Sequence, residues 1–243
     1  MLVVDGQPIE LDPHLALLRE SVRALYGIEL PLAAAELVLE EARNFALARV
    51  RLACGAGADG APQLEAVTRA VARELVLPRE GLDLRSAAVE GWYGAHKWVD
   101  RRLLDQLEAA AGPASALLVA RDERVLETTR ANVFALGRDG VLRTPPADGS
   151  ILPGVTRAAT IELAQELGTA VREEPMTRAQ LRAAREVFVT GSIRGVEWVR
   201  SLDGARIGEG LRGELADALA EALRGRWLAP EAVSGRPVRA GRV

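Results

Sequence analysis

The chain has 243 residues, of which 49% are hydrophobic, and a formal net charge of −3. That size and apolar content exclude a disordered chain and allow a sizeable core, in one large domain or two lobes; basic residues dispersed among 34 acids exclude a nucleic-acid or anionic-membrane surface and leave a small molecule as the expected ligand. One cysteine, Cys54, and two histidines, His14 and His96, exclude a disulfide framework and a zinc-type cluster, and Cys54 reads as a small buried side chain.

In chain order, "MLVVDG" and "QPIEL" read as a turn-linked strand pair, without the basic segment and apolar core of a secretory signal. No apolar run approaches a membrane span, so a cytoplasmic protein is expected. "DPHLALLRESVRALYG" and "LPLAAAELVLEEARNFA" carry helical spacing, "LARVRLACG" alternates like a half-buried strand, and "QLEAVTRAVARELV" reads as an amphipathic helix. Between the last two, "GAGADG" matches a dinucleotide-binding glycine pattern, but Pro62 separates it from the following segment and the second half lacks regular strand–helix alternation, so it is read as a turn. "LPREGLDLRSAAVEGWYGAHK" mixes Pro, Gly and short extended pieces, and a lobe boundary is placed there, near residue 88. A helix from Lys97 to Ala111 is expected next. It leads to strands "ASALLVARD", "RVLETT", "ANVFALG" and "GVLRTPP", with Asp139-Gly140 as a hairpin turn. The helix "GVTRAATIELAQELG", strand "TAVREEPM", helix "TRAQLRAA", strands "EVFVTGS" and "GVEWVRSLDG" and the helix "GLRGELADALAEALRGRW" complete the pattern, ahead of a loose Gly/Pro/Arg tail. Residues 1–88 are thus expected as a small lobe, 89–230 as a larger one and 231–243 as tail.

Of the 31 basic residues, Lys97 is the only lysine. Arginine matches lysine as a charge but stays protonated and cannot act as an amine nucleophile, so a lone lysine in an arginine-rich chain points to Schiff-base chemistry. A solvated surface charge is the ordinary alternative, and the surroundings must decide. "RVLETTRANVF" places Glu127 in a strand–turn–strand context. "SILPGVTRAAT" places Pro153, Gly154 and Thr156 at a helix start, where free N–H groups accept a phosphate. "EVFVTGSIRGVEWV" ends a strand in Gly191-Ser192, whose hydroxyl and following N–H groups suit the same anion. Amine, carboxylate and phosphate cradle together are the protein's share of a pyridoxal 5′-phosphate (PLP) site.

The segments "HKWVDRRLL", "LETTRANVF", "ILPGVTR" and "EVFVTGSIRGVEWV", in this order and spacing, resemble the class IV aminotransferase family, which includes branched-chain and D-amino-acid aminotransferases and 4-amino-4-deoxychorismate lyase. The resemblance implies a two-lobed α+β PLP fold, with a small α/β lobe, a larger pseudo-barrel lobe, the cofactor between them and a homodimer. It implies Lys97 as Schiff-base lysine and α-proton shuttle and Glu127 as partner of the pyridine nitrogen. Gly154, Val155, Thr156, Ser192 and Ile193 become phosphate ligands. "SIRGV", and Arg101 four residues after the lysine, are more similar to the lyases, which eliminate pyruvate to give p-aminobenzoate; transamination is the alternative.

Three departures motivate a third reading, a catalytically impaired PLP-binding homologue. The strand and "GDG" turn that family members usually carry first are not in the sequence, Leu17 stands where an arginine normally reaches the phosphate, and Cys54 stands where an arginine commonly meets a substrate carboxylate. Arg19 lies near Leu17 but on a different helical face.

Overall fold

The computed structural model describes residues 1–90 and 94–228. The expected loose tail, 231–243, lies outside the described residues. The first six elements are β1 (Leu2–Val4), β2 (Gln7–Pro8), α1 (Leu11–Tyr26), α2 (Ala33–Ala42), β3 (Leu47–Ala56) and β4 (Pro62–Ala70). Their strands form one antiparallel sheet in the order β2-β1-β3-β4. The β1–β2 hairpin turns on Asp5 and Gly6, whose positive φ angles of 47° and 77° match the strand twist as a primed two-residue turn must.

Period-two alternation gives this sheet two different faces. Val3, Ala48 and Val50 are buried under Val38 and Ala42 of α2, while Cys54 packs with Leu15 and Val22 of α1. Burial also pushes the Cys54 thiol pKa up, which suits a packed side chain rather than a nucleophile. On the opposite face Leu2 joins the core of the larger lobe, beside Phe134, Leu219 and Trp227.

The segment expected as a helix after "GAGADG" is strand β4, paired with β3 from Ala48↔Ala70 to Ala56↔Pro62. The glycine-rich stretch is the hairpin turn between them, closed by Gly57 N–H on Ala61 O at 2.7 Å. Leu64, Ala66 and Thr68 also alternate with more exposed Glu65, Val67 and Arg69, so long-range pairing overrides the local helical reading.

The larger lobe holds β5 (Leu82–Val89), α3 (Arg102–Ala111), β6 (Ser115–Ala120), β7 (Val125–Thr128), β8 (Asn132–Leu136) and β9 (Leu142–Thr144). These are followed by α4 (Val155–Glu166), β10 (Val171–Glu173), α5 (Arg178–Ala183), β11 (Glu186–Gly191), β12 (Gly195–Leu202), β13 (Ala205–Arg206) and α6 (Glu214–Leu228). Its sheet runs β10-β9-β8-β11-β12-β5-β6-β7 and closes through a β7–β8 pairing, giving a six-stranded barrel with β9 and β10 as an extension. This is the expected two-lobed α+β architecture. Strand β5 pairs in parallel with both β12 and β6, so the boundary placed near residue 88 falls inside a strand of the larger sheet. Expected helix α3 begins at Arg102 rather than Lys97, after a turn in which Asp100 accepts the Arg102 N–H at 3.1 Å.

Val133, Ala135, Val187 and Val189 share one barrel cluster with Leu117 and Val199, while Phe134, Leu136 and Phe188 lie on the other face with residues of α4 and α6. Phe134 and Phe188 are direct cross-strand partners whose rings stack with centroids 5.2 Å apart. Both are fully buried, so Phe188→Ala is expected to lower unfolding free energy by about 3–5 kcal/mol in denaturant titration. Among the described residues no helix is long and apolar enough to cross a membrane.

Candidate active site

Lys97 stands in the connection between β5 and α3, and its neighbours along the chain fix that connection from several sides. A Cβ on Gly94 would lie 2.4 Å from Ser150 O, so the backbone there approaches the loop before α4 more closely than any other residue would allow. His96 Nδ1 lies 3.0 Å from Ser21 Oγ on α1. Arg101 donates from Nη2 to Thr129 O at 3.0 Å, tying the segment to the turn between β7 and β8.

The Lys97 side chain keeps solvent-exposed surface, yet enough protein surrounds it that desolvation drives its ammonium pKa down. The Arg101 charge pushes the same way, Glu127 opposes, and Arg49 of the small lobe adds a further push down. Among the described residues no hydrogen bond or ion pair holds the amine. His14, at the start of α1, is held neutral with a pKa of about 3, chiefly by desolvation, with the amino terminus and Lys97 adding to it.

Glu127 is 7% exposed and sits on β7 directly opposite Asn132, the pair through which the barrel closes. The Asn132 amide donates to Glu127 Oε2 at 3.2 Å and to Leu152 O at 2.9 Å, and Leu152 N–H donates to the same carboxylate oxygen at 3.3 Å. These donors orient the carboxylate.

The loop continues from Leu152 to Gly154, the residue before α4, where a Cβ would come within 2.2 Å of Asn132 Oδ1. Only glycine lets the helix start so near that amide. Along α4 the Ala158 N–H finds the Gly154 carbonyl at 3.0 Å, while the N–H groups of Val155 and Thr156 precede it at the open helix end. Thr156 Oγ1 lies 3.5 Å from Ser192 Oγ, in the turn joining β11 to β12. Ile193 follows in the same turn, partly buried against the outer core. Two hydroxyls and a helix N-terminus thus converge on one spot, a suitable donor set for a phosphate. Asn132 is the direct partner of Thr190 on β11, so Glu127, Asn132, the α4 start and the Ser192 turn form one contiguous wall.

Lys97, Glu127, Gly154, Val155, Thr156, Ser192 and Ile193 therefore occupy one region of the fold: Lys97 and Glu127 are electrostatic neighbours, and the phosphate candidates surround the α4 end. The set fits PLP on its chemistry, with a depressed amine, an oriented carboxylate and an anion cradle. Arg19 does not join them. It acts electrostatically on Glu29, in the segment that follows α1. Sequence reasoning missed Asn132, whose signal was a lone amide opening the apolar run "NVFAL", and Arg49, hidden in the alternation of "LARVRLACG".

A family model described as amino-transferase class IV matches residues 1–202. The branched-chain-amino-acid aminotransferase of Escherichia coli (strain K12) is 46% identical over 94 residues, 39% of this chain and 30% of the relative's length, so the match spans less than a third of that protein. A hypothetical aminotransferase from Mycobacterium tuberculosis, in a PLP-bound form, superposes with a TM-score of 0.80 at 23% identity, covering 94% of this chain and 87% of that one. A Legionella pneumophila protein named as a candidate 4-amino-4-deoxychorismate lyase superposes with a TM-score of 0.79 at 24% identity, covering 93% and 88%.

Proposed function

The chain belongs to the class IV aminotransferase family, and from that premise we propose a PLP-dependent enzyme that moves the amino group of an amino-acid substrate, with Lys97 as the residue that holds the cofactor and carries the substrate's α-proton. When bound, PLP supplies an aldehyde for amines to condense with and a protonated ring that takes up the electrons left when the substrate Cα–H bond breaks.

The residues divide the work as follows. Lys97, with its ammonium destabilised by desolvation and by Arg101, gives up its proton more readily than an ordinary lysine, which suits attachment and afterwards taking and returning a proton. Glu127, oriented by Asn132 and the Leu152 N–H, would be the partner of the ring nitrogen, where a carboxylate would hold a proton. Gly154, Val155, Thr156, Ser192 and Ile193 bind the phosphate through helix-end and turn N–H groups and two hydroxyls, in place of the arginine replaced by Leu17. The observation that carries the reading is the single wall formed by buried Glu127, Asn132, the α4 start and the Ser192 turn, with Lys97 an electrostatic neighbour of Glu127. A homodimer and a cytoplasmic setting belong to the same proposal.

The local identity to the Escherichia coli enzyme supports transamination. The turn Ser192–Val196, "SIRGV", favours a second reading as an aminodeoxychorismate lyase. Side-by-side assays separate them. Transfer of an amino group from branched-chain or D-amino acids to 2-oxoglutarate is the expected result, pyruvate release from aminodeoxychorismate without an acceptor would replace it with the lyase reading, and silence in both would favour a non-catalytic homologue.

A further inference from the structure

We infer that Thr129 is a positioning residue for the proposed reaction: gripped at its carbonyl by Arg101 and at its hydroxyl by Glu108, it holds the Lys97 segment in place against the turn that follows Glu127. The inference rests on the proposed function for the cofactor at Lys97, but the contacts that make up the grip stand without it.

Lys97 and Glu127 lie on separate segments, the connection before α3 and the end of β7. Arg101 comes four residues after Lys97 and Thr129 two after Glu127, so the Arg101–Thr129 hydrogen bond at 3.0 Å is a short tie between them. The backbone of Arg101 is anchored to α3, since its carbonyl accepts the Asp105 N–H at 2.8 Å. Glu108 follows two helical turns along the same face. Its carboxylate accepts from Ser115 Oγ and the Ala116 N–H, each at 3.1 Å, and from Thr129 Oγ1 and Arg130 Nη2. Desolvation works against the charge, yet the donors from Thr129, Ala116 and Arg130 hold the Glu108 pKa below the ordinary carboxylate value.

Closing the turn between β7 and β8 does not require this grip. Thr128 closes it from within, donating its N–H to Ala131 O at 2.8 Å and accepting the Ala131 N–H on Oγ1 at 2.9 Å. Thr129, 5% exposed, directs every polar group outward instead: N–H to Ala116 O at 3.2 Å, hydroxyl to Glu108 and carbonyl to Arg101. Those bonds fix where the finished turn sits against β6 and α3, and they keep the Arg101 guanidinium beside the lysine, where it disfavours a protonated nitrogen. Around that nitrogen Glu127 acts in the opposite sense and Arg49 in the same one, while His14 and the amino terminus are further titratable neighbours. Glu127 keeps Asn132 and the Leu152 N–H when the grip on Thr129 is lost, so the Arg101 contribution is the one that changes.

The test uses the full chain loaded with PLP, in wild-type, Thr129→Val, Thr129→Ser, Glu108→Gln and Arg101→Gln forms. Thr129→Val exchanges the hydroxyl for a methyl group, and Thr129→Ser keeps the hydroxyl. Two quantities are read, the pH midpoint of the change in the visible absorbance band and the urea midpoint of unfolding. Arg101→Gln removes the charge outright and should raise the absorbance midpoint by about 1 pH unit or more. Thr129→Val and Glu108→Gln should each give a smaller shift in the same direction, and Thr129→Ser should return the midpoint to the wild-type value. A merely structural Thr129 would lower the urea midpoint and leave the absorbance midpoint unmoved in Thr129→Val, which would overturn the inference alone. Thr129→Ser behaving like Thr129→Val would overturn it as well. A wild-type protein with no visible band after loading would overturn the proposed function, and the inference with it.

Discussion

Replacing Lys97 with alanine is expected to leave a folded protein that neither holds PLP covalently nor turns over substrate, with a loss of at least about 10⁴-fold in kcat. Arginine is the more telling replacement. The chain uses it at every other basic position, and it preserves the charge, but a guanidinium cannot condense with an aldehyde or shuttle a proton near neutral pH, so Lys97→Arg should be equally inactive. A pH signature accompanies the loss. The folded pKa of Lys97 lies below its ordinary value of 10.5, so protein without cofactor is penalised for the charged form and loses stability as pH falls from that value through the depressed one. Lys97→Met removes the group and should flatten that part of the stability profile in denaturation series at successive pH values.

Glu127→Gln should give the second largest effect, a fall in kcat of about 10²–10³-fold with the fold retained. Glutamine still offers an acceptor to the Asn132 amide and the Leu152 N–H, so the barrel closure survives while the charge beside the ring nitrogen disappears. Glu127→Ala differs in kind. It leaves the Leu152 N–H and one hydrogen of the Asn132 amide without their acceptor at the pairing that closes β7 on β8, and should add a stability loss of about 1–3 kcal/mol to the kinetic defect. Steady-state rates and urea midpoints measured on both variants separate charge from scaffolding.

Much of the site could be read in the chain because its parts are local. A lone lysine, a proline–glycine helix start and a glycine–serine strand end each announce themselves within a few residues. What could not be read was non-local. β4 looks helical until β3 is known to need a partner, and β5 looks like a connector until β6 and β12 flank it. Asn132 reads as an ordinary strand start, and its importance appears only when barrel closure sets it against Glu127 and the α4 loop together. Arg49 is silent for the same reason. Strand alternation says it faces away from Val50, but not that the larger lobe lies on that side.

The central claim is that the Lys97 amine is the point where the cofactor attaches. Borohydride reduction of the PLP-loaded protein, followed by tryptic peptide mass mapping, tests it directly, because one lysine leaves few other amines to label. A pyridoxyl increment on the peptide containing Lys97, ending at Arg101 with cleavage at the lysine blocked, is the expected result. An increment on the amino terminus, or on no peptide, would contradict it.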